Sequence, residues 1–451
     1  MKRILIIFTL LSLYGSSPAQ VKYKFRVQLT DKALTGFSPD RPEEFLSARA
    51  LERRTRQGIP VDSTDLPVCS EYLRQLSALG ADIVTASKWC NTVVVAAGDS
   101  SVVSRLDSLS FVKGVKKVWE QYPDSGFPPG KNRRKEVTDK WEKAEDRYGK
   151  AAVQVRMHHG DSLHAAGYRG GGMHIAIIDA GFRNADEVKL LEGVNILGTR
   201  DFVNPSSDIY AEHNHGTKVL SCMAADKEQV LVGSAPEASY WLLRSEDADT
   251  EQPVEEDYWA AAAEFADSVG VDVINTSLGY YSFDDSRDDY KYRHLDGRTS
   301  MMSAAASAAA RKGMLVVVSA GNSGMDSWKK ITPPADAFGV LSVGAVEADS
   351  INAPFSSVGD TADGRIKPEV MSLGTDVAVA GSDGDVITCS GTSFACPVLC
   401  GLAACLWQAC PHLSVHELIG AILSAGDRSD CPDNVFGYGI PDLWKAYLRM
   451  K

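Results

Sequence analysis

The sequence predicts an α/β fold: a parallel sheet covered by helices on both faces, three layers in all, over residues 148–451, preceded by a small α+β unit at 20–122. Three observations carry this expectation. After Tyr148, short β-rich apolar runs alternate with helical stretches, the pattern of parallel strands joined by crossover helices. Those runs are continuously apolar, which marks strands buried on both faces. Finally, 451 residues exceed what one hydrophobic core organises, and Pro123, Gly126, Pro128, Pro129 and Gly130 interrupt the pattern between the two units.

The elements follow in chain order. Residues 1–19 read as a cleavable export signal, with Lys2 and Arg3, an apolar run from Ile4 to Leu13, and small residues at Ser17 and Ala19. The run is shorter than the roughly 20 residues that cross a bilayer, and no later segment is expected to span one. The mature chain is therefore expected to be secreted or periplasmic. From residue 20 to 122, KYKFRVQL, TVVVAAG and VKGVKKVWE read as strands; FLSARALERRTRQ, SEYLRQLSALG and SSVVSRLDSL read as helices. Residues 123–147 form an exposed linker carrying KNRRK at 131–135, where proteolytic processing is expected. Beyond it, MHIAIID (173–179), YWLLRS (240–245), DVINTSLG (272–279), LVVVSAGN (315–322) and VLSVGAV (340–346) are the strands. EEDYWAAAAEFADS (255–268) and MMSAAASAAARK (301–312) are the intervening helices.

Composition narrows the class. With 44% hydrophobic and 24% charged residues the chain buries a core and is neither disordered nor fibrous. Lys and Arg number 47 against 59 Asp and Glu, a net −12, which argues against a general nucleic-acid binder. The charge is uneven: residues 20–147 hold 22 basic and 18 acidic groups, and residues 148–451 hold 23 against 41. Opposite signs favour association of the two units at low salt. Nine cysteines in an exported chain leave at least one unpaired. Cys69 with Cys90 and Cys410 with Cys431 are candidate bridges, whereas Cys222, Cys396, Cys400 and Cys405 lie in apolar helical runs as small buried residues.

Four residues point to chemistry together. Asp179 ends a buried strand at a turn, Ala180-Gly181. His215 opens the helical run HGTKVLSCMA; with His213 it makes an H-x-H pair, but no Cys or Glu at ligand spacing supports a metal. Ser393, in SGTSFACPVLCGLAACLWQ, starts a helix of buried composition behind Gly391-Thr392, and Asn322, in SAGNSG, supplies an amide donor. A Ser or Asn in such places is otherwise a cap or a turn former. As a set they are an orienting carboxylate, a base, a nucleophile and an oxyanion donor at the strand ends of one sheet. The order Asp, His, Ser differs from that of the α/β-hydrolases and from that of chymotrypsin.

At this point the segments IAIIDAGF, HGTKVLS, DVINTSLG, VVSAGNSG, SGTSFACP and the closing FGYGIPDLWKA resemble the signature blocks of the subtilisin-like serine peptidases, over about residues 148 to 451. The resemblance implies a serine endopeptidase working through an acyl-enzyme, with Asp179, His215 and Ser393 as triad and Asn322 as oxyanion donor. It implies that Ser277-Leu278-Gly279 and Ser319-Ala320-Gly321 hold polypeptide substrate by backbone hydrogen bonds. It also implies that residues 20–122 are a propeptide, chaperone and intramolecular inhibitor, so that the protein is a zymogen. The tract ITPPAD implies a side-chain pocket without strong fixed charge. No cofactor is expected for the chemistry. Structural calcium, frequent in the family, is an expectation for the acidic tract FDDSRDDYKYRHLDG (283–297), with a solvated loop as the competing reading. Leu373 stands where the family usually has proline, which bears on the adjoining loop. A transpeptidase or cyclase on the same scaffold, and a non-catalytic peptide-binding member, are the rival functions.

Overall fold

The structure is a computed structural model and describes residues 21–33, 35–121 and 136–451. The export signal, the basic KNRRK tract and most of the processing linker lie outside the described residues.

The larger unit is built on seven parallel strands in the order Val370–Leu373, Leu341–Val346, Leu315–Ser319, Val273–Thr276, His174–Asp179, Ser239–Arg244, Asn195–Asp201. The five strands expected from sequence are its centre. The two edge strands were not anticipated, because NILGTRD is partly exposed and polar and VMSL spans only four residues. At the Leu373 departure the strand still pairs with its neighbour, and the Gly374 carbonyl accepts the Gly391 N–H at 2.8 Å. One face carries the helices His215–Ala224 and Thr392–Ala409, the other Val254–Val269 and Met301–Arg311, which gives the three layers their two separate cores.

Two expectations are corrected here. Among the described residues, Thr392–Ala409 is after all long and apolar enough to cross a membrane; 83% of it is buried, because it is the central core helix behind the sheet. Neither candidate disulfide forms: all nine cysteines are free, with Cys410 buried and Cys431 exposed, and Cys69 enclosed in the small unit's own core.

The small unit is a four-stranded antiparallel sheet, Asp82–Ser87, Thr92–Ala97, Tyr23–Leu29, Val112–Glu120, with helices Ser70–Ala78 and Val102–Asp107 on its core side. Its other face and the helix Ala48–Arg56 lie on Val254–Val269 of the larger unit. The seam is ionic and largely dry. Asp267 receives Arg53 at 2.5 Å and Arg54 at 2.8 Å, with Lys88 at 3.3 Å, and Asp267 and both arginines are at most 1% exposed. Glu264 accepts from Ser87 Oγ and from the Lys88 and Trp89 N–H groups. Arg26 makes a forked pair with Asp257 at 2.6–2.9 Å. The opposite charges read from sequence therefore meet as buried, geometrically specified pairs.

Candidate active site

Asp179 ends its strand fully buried, and its carboxylate accepts its neighbour's Ala180 N–H at 2.8 Å. The turn that follows depends on glycine: a Cβ at Gly181 would lie 2.5 Å from the His213 backbone, so only glycine lets the 213–215 loop cross so closely. Gly216 N–H then donates to the Gly181 carbonyl at 3.0 Å and sets the start of the His215 helix over the carboxylate. His215 Nδ1 lies 2.8 and 3.1 Å from the two Asp179 oxygens. Burial alone would lower the imidazole pKa; the Asp179 charge and hydrogen bond, with Glu246 nearby, outweigh it and raise the pKa above the ordinary value. His213 accepts the His215 N–H with its Nδ1 at 3.3 Å, and so serves the helix start.

Ser393 sits in the first turn of its helix, and the ring of the next residue, Phe394, lies 5.6 Å, centroid to centroid, from that of His215. Its hydroxyl donates to the Ser277 carbonyl at 3.1 Å, and no hydrogen bond joins it to His215. In uncomplexed active sites such contacts are often long or misaligned and tighten with substrate. Ser277 Oγ returns a bond to the Ser393 carbonyl at 2.9 Å, so nucleophile and strand end are tied in both directions.

Thr392 is the functional residue that sequence reasoning passed over, reading it only as a lead-in to the helix. Its N–H and Oγ1 both donate to Asn322 Oδ1, at 2.9 and 3.0 Å, and its Oγ1 accepts the Gly321 N–H at 3.1 Å. With Oδ1 engaged, the Asn322 amide is held with Nδ2 outward as a donor. A hydroxyl directly before the nucleophile was the available signal.

The two segments expected to hold peptide differ. Leu278 and Gly279 make no backbone hydrogen bonds among the described residues and present a free edge. Ala320 and Gly321 have backbone groups already bonded, to Val343, Thr332, Ser357 and Thr392. Between the two lies Thr332, only 5% exposed: a Cβ at Gly279 would meet its Oγ1 at 2.3 Å and one at Gly321 at 3.0 Å.

The aspartates of the 283–297 loop do not converge. Asp284 accepts from Glu251 N–H, Asp285 pairs with Arg287, Asp288 with Lys116, Asp289 caps Phe283 N–H, and Asp296 caps Arg298 and Thr299. No group of three or more His, Cys, Asp or Glu among the described residues is arranged to hold a metal ion, so this loop does not fit a calcium site.

Comparison with known proteins gives the family. The profile of the subtilase family matches residues 170–439, and that of the peptidase S8 propeptide domain of Bacteroidota matches residues 24–135. The chain is similar to subtilisin DY of Bacillus licheniformis, 31% identical over 263 residues, which cover 57% of this chain and 85% of that protein. It is similar to serine protease AprX of Bacillus subtilis (strain 168), 28% identical over 302 residues, covering 60% of this chain and 65% of AprX. Among solved structures, MycP1 from the ESX-1 type VII secretion system shares the fold with a TM-score of 0.52 at 21% identity, over 69% of this chain and 88% of that one.

Proposed function

The chain belongs to the subtilase family and is a serine endopeptidase made with a propeptide, and from that premise we propose that Asp179, His215, Ser393 and Asn322 carry the reaction through an acyl-enzyme. His215 takes the proton of Ser393 Oγ as the oxygen attacks the peptide carbonyl carbon. Asp179 holds Nδ1–H and offsets the imidazolium charge. The oxyanion accepts hydrogen bonds from Asn322 Nδ2 and the Ser393 N–H. The amine leaves with the proton from His215, and water, deprotonated by the same imidazole, then releases the acyl group. No step calls on a cofactor. The observation that carries this reading is the pairing of a buried Asp179 with His215 at 2.8 Å, beside a Ser393 at a helix start.

We further propose that the enzyme is exported, secreted or periplasmic, on the strength of the leader at 1–19, and that residues 20–122 inhibit it until processing in the 123–147 linker. Labelling of Ser393 by a fluorophosphonate probe, with mass spectrometry of peptide products, tests the catalytic reading. An unlabelled mature protein would overturn it, and ligated instead of hydrolysed products would move it to the transpeptidase class.

Two outcomes are expected at this site. Asn322→Ala should lower kcat by about 10²–10³-fold with KM little changed, the size of effect seen for the corresponding donor in a subtilisin. A larger rise in KM than fall in kcat would assign Asn322 to ground-state binding. Catalysis needs neutral His215, and the raised pKa places the acid limb of kcat/KM above that of an ordinary imidazole. Asp179→Asn should move that limb to lower pH and cut kcat by about 10⁴-fold; a limb that stays in place would mean that another group controls it.

A further inference from the structure

Beside the catalytic pair lies a cluster of carboxylates that the mechanism leaves unused. Ser245 N–H donates to the Asp179 carbonyl at 3.0 Å, so the next residue, Glu246, emerges at the triad itself. Tyr280, which directly follows the free edge Leu278–Gly279, donates its hydroxyl to Glu246 at 3.3 Å. Glu246 is thereby placed between the base and the peptide-binding edge. Behind it stand Glu251 and Glu255. Glu255 is fully buried: one carboxylate oxygen takes the Asp247 N–H at 3.1 Å, and the other, Oε2, has no partner.

An unpartnered buried carboxylate oxygen facing other carboxylates is costly unless a cation or a proton answers it. Burial, with the Asp179 charge beside it, pushes Glu246 up to about 7, and burial, with Glu246 and Asp284 nearby, pushes Glu251 to about 8. Arg244, the resident guanidinium, is committed to Asp201 at 2.9 Å, with Glu212 and Asp247 further off at 3.6 and 3.9 Å. Among the described residues these side chains are not grouped to hold a metal ion. The propeptide already brings one cation towards them: Lys24, bonded to Tyr258 at 2.7 Å, feels both Asp247 and Glu255 and leaves when the propeptide does.

We propose that Glu246, Glu251 and Glu255 form a recognition site for a basic side chain, so that this enzyme selects peptides carrying arginine or lysine close to the scissile bond. This rests on the endopeptidase reading above. The chain carries a sequence of the required kind: the propeptide's last strand ends against Gln252, whose side chain brackets Glu120 through bonds of 2.8 and 3.1 Å, and the linker beyond contains Lys131, Arg133, Arg134 and Lys135.

The test is a positional-scanning library of fluorogenic peptides on the mature enzyme, with arginine compared against citrulline, its neutral isostere, at each position in turn. Arginine is expected to raise kcat/KM at least tenfold at one position, and Glu246→Gln with Glu251→Gln to remove most of that ratio. Equal rates for arginine and citrulline at every position would overturn the proposal, and this comparison needs no variant to fold. Fluorophosphonate labelling in the same preparation keeps the two readings apart. A labelled enzyme with a flat profile sinks the basic-residue site alone, whereas an unlabelled one sinks the peptidase reading with it.

Discussion

Ser393→Ala should abolish peptide hydrolysis, a loss of about 10⁶-fold in kcat, and leave the chain uncut between residues 123 and 147. The neighbouring hydroxyls cannot substitute. Thr392 Oγ1 is committed to Asn322 and Gly321, and Ser390 Oγ accepts the Asp376 N–H at 3.0 Å. The Ser393 hydroxyl is itself replaceable without disturbing the core, since what it gives up is one bond to the Ser277 carbonyl. The variant should therefore fold, bind peptide and accumulate as full-length zymogen, which intact-mass measurement of the exported protein reads directly. A short form in normal yield would assign processing to another peptidase, and persistent hydrolysis would place the nucleophile elsewhere.

Asp267→Ala is expected to loosen the propeptide more than any other single change at the seam. The carboxylate answers Arg53, Arg54 and Lys88 at once, and removing it leaves two guanidinium groups, each 1% exposed, partly uncompensated. Breaking a buried pair from one side costs about 3–5 kcal/mol, or roughly 10²–10³-fold in the dissociation constant. The measurement uses the Ser393→Ala chain nicked with trypsin in its basic linker. The parent pieces should co-elute in gel filtration, and the Asp267→Ala pieces should separate. Co-elution of both would show that the network does not hold the propeptide. Because these charges are buried they are screened little. The salt dependence expected from net charge should therefore come mainly from exposed pairs such as Lys116–Asp288, where Lys116 is 53% exposed.

The centre of the fold was legible because residues such as Ile175, Val273 and Val316 leave the chain no alternative to burial on both sides of a sheet. The edges were not, since Gly198, Thr199 and Arg200 look like loop until a neighbouring strand pairs with them. The four chemical residues were legible as types at strand ends and helix starts. Thr392 was not, because its part is to fix another residue's amide, a contact between positions 70 apart in sequence. The same holds for Glu246 and Glu255: nothing in the run SEDADTEQPVEED marks its last three carboxylates as interior, yet Glu255, Glu256 and Asp257 are each at most 2% exposed. Net charge gave the sign of the seam between the units but not that its partners are dry.

The bonds that hold the propeptide involve Arg26, Arg53, Arg54 and Lys88, all of them upstream of the linker. A cut between residues 123 and 147 touches none of them. On the proposed zymogen reading, cleavage and activation are two events on separate clocks: the first is timed by the cut itself, the second by how fast a severed but still seated fragment departs. On that reading a newly cut molecule stays silent for a delay set by an off-rate, and the buried pairs around Asp267 set its length.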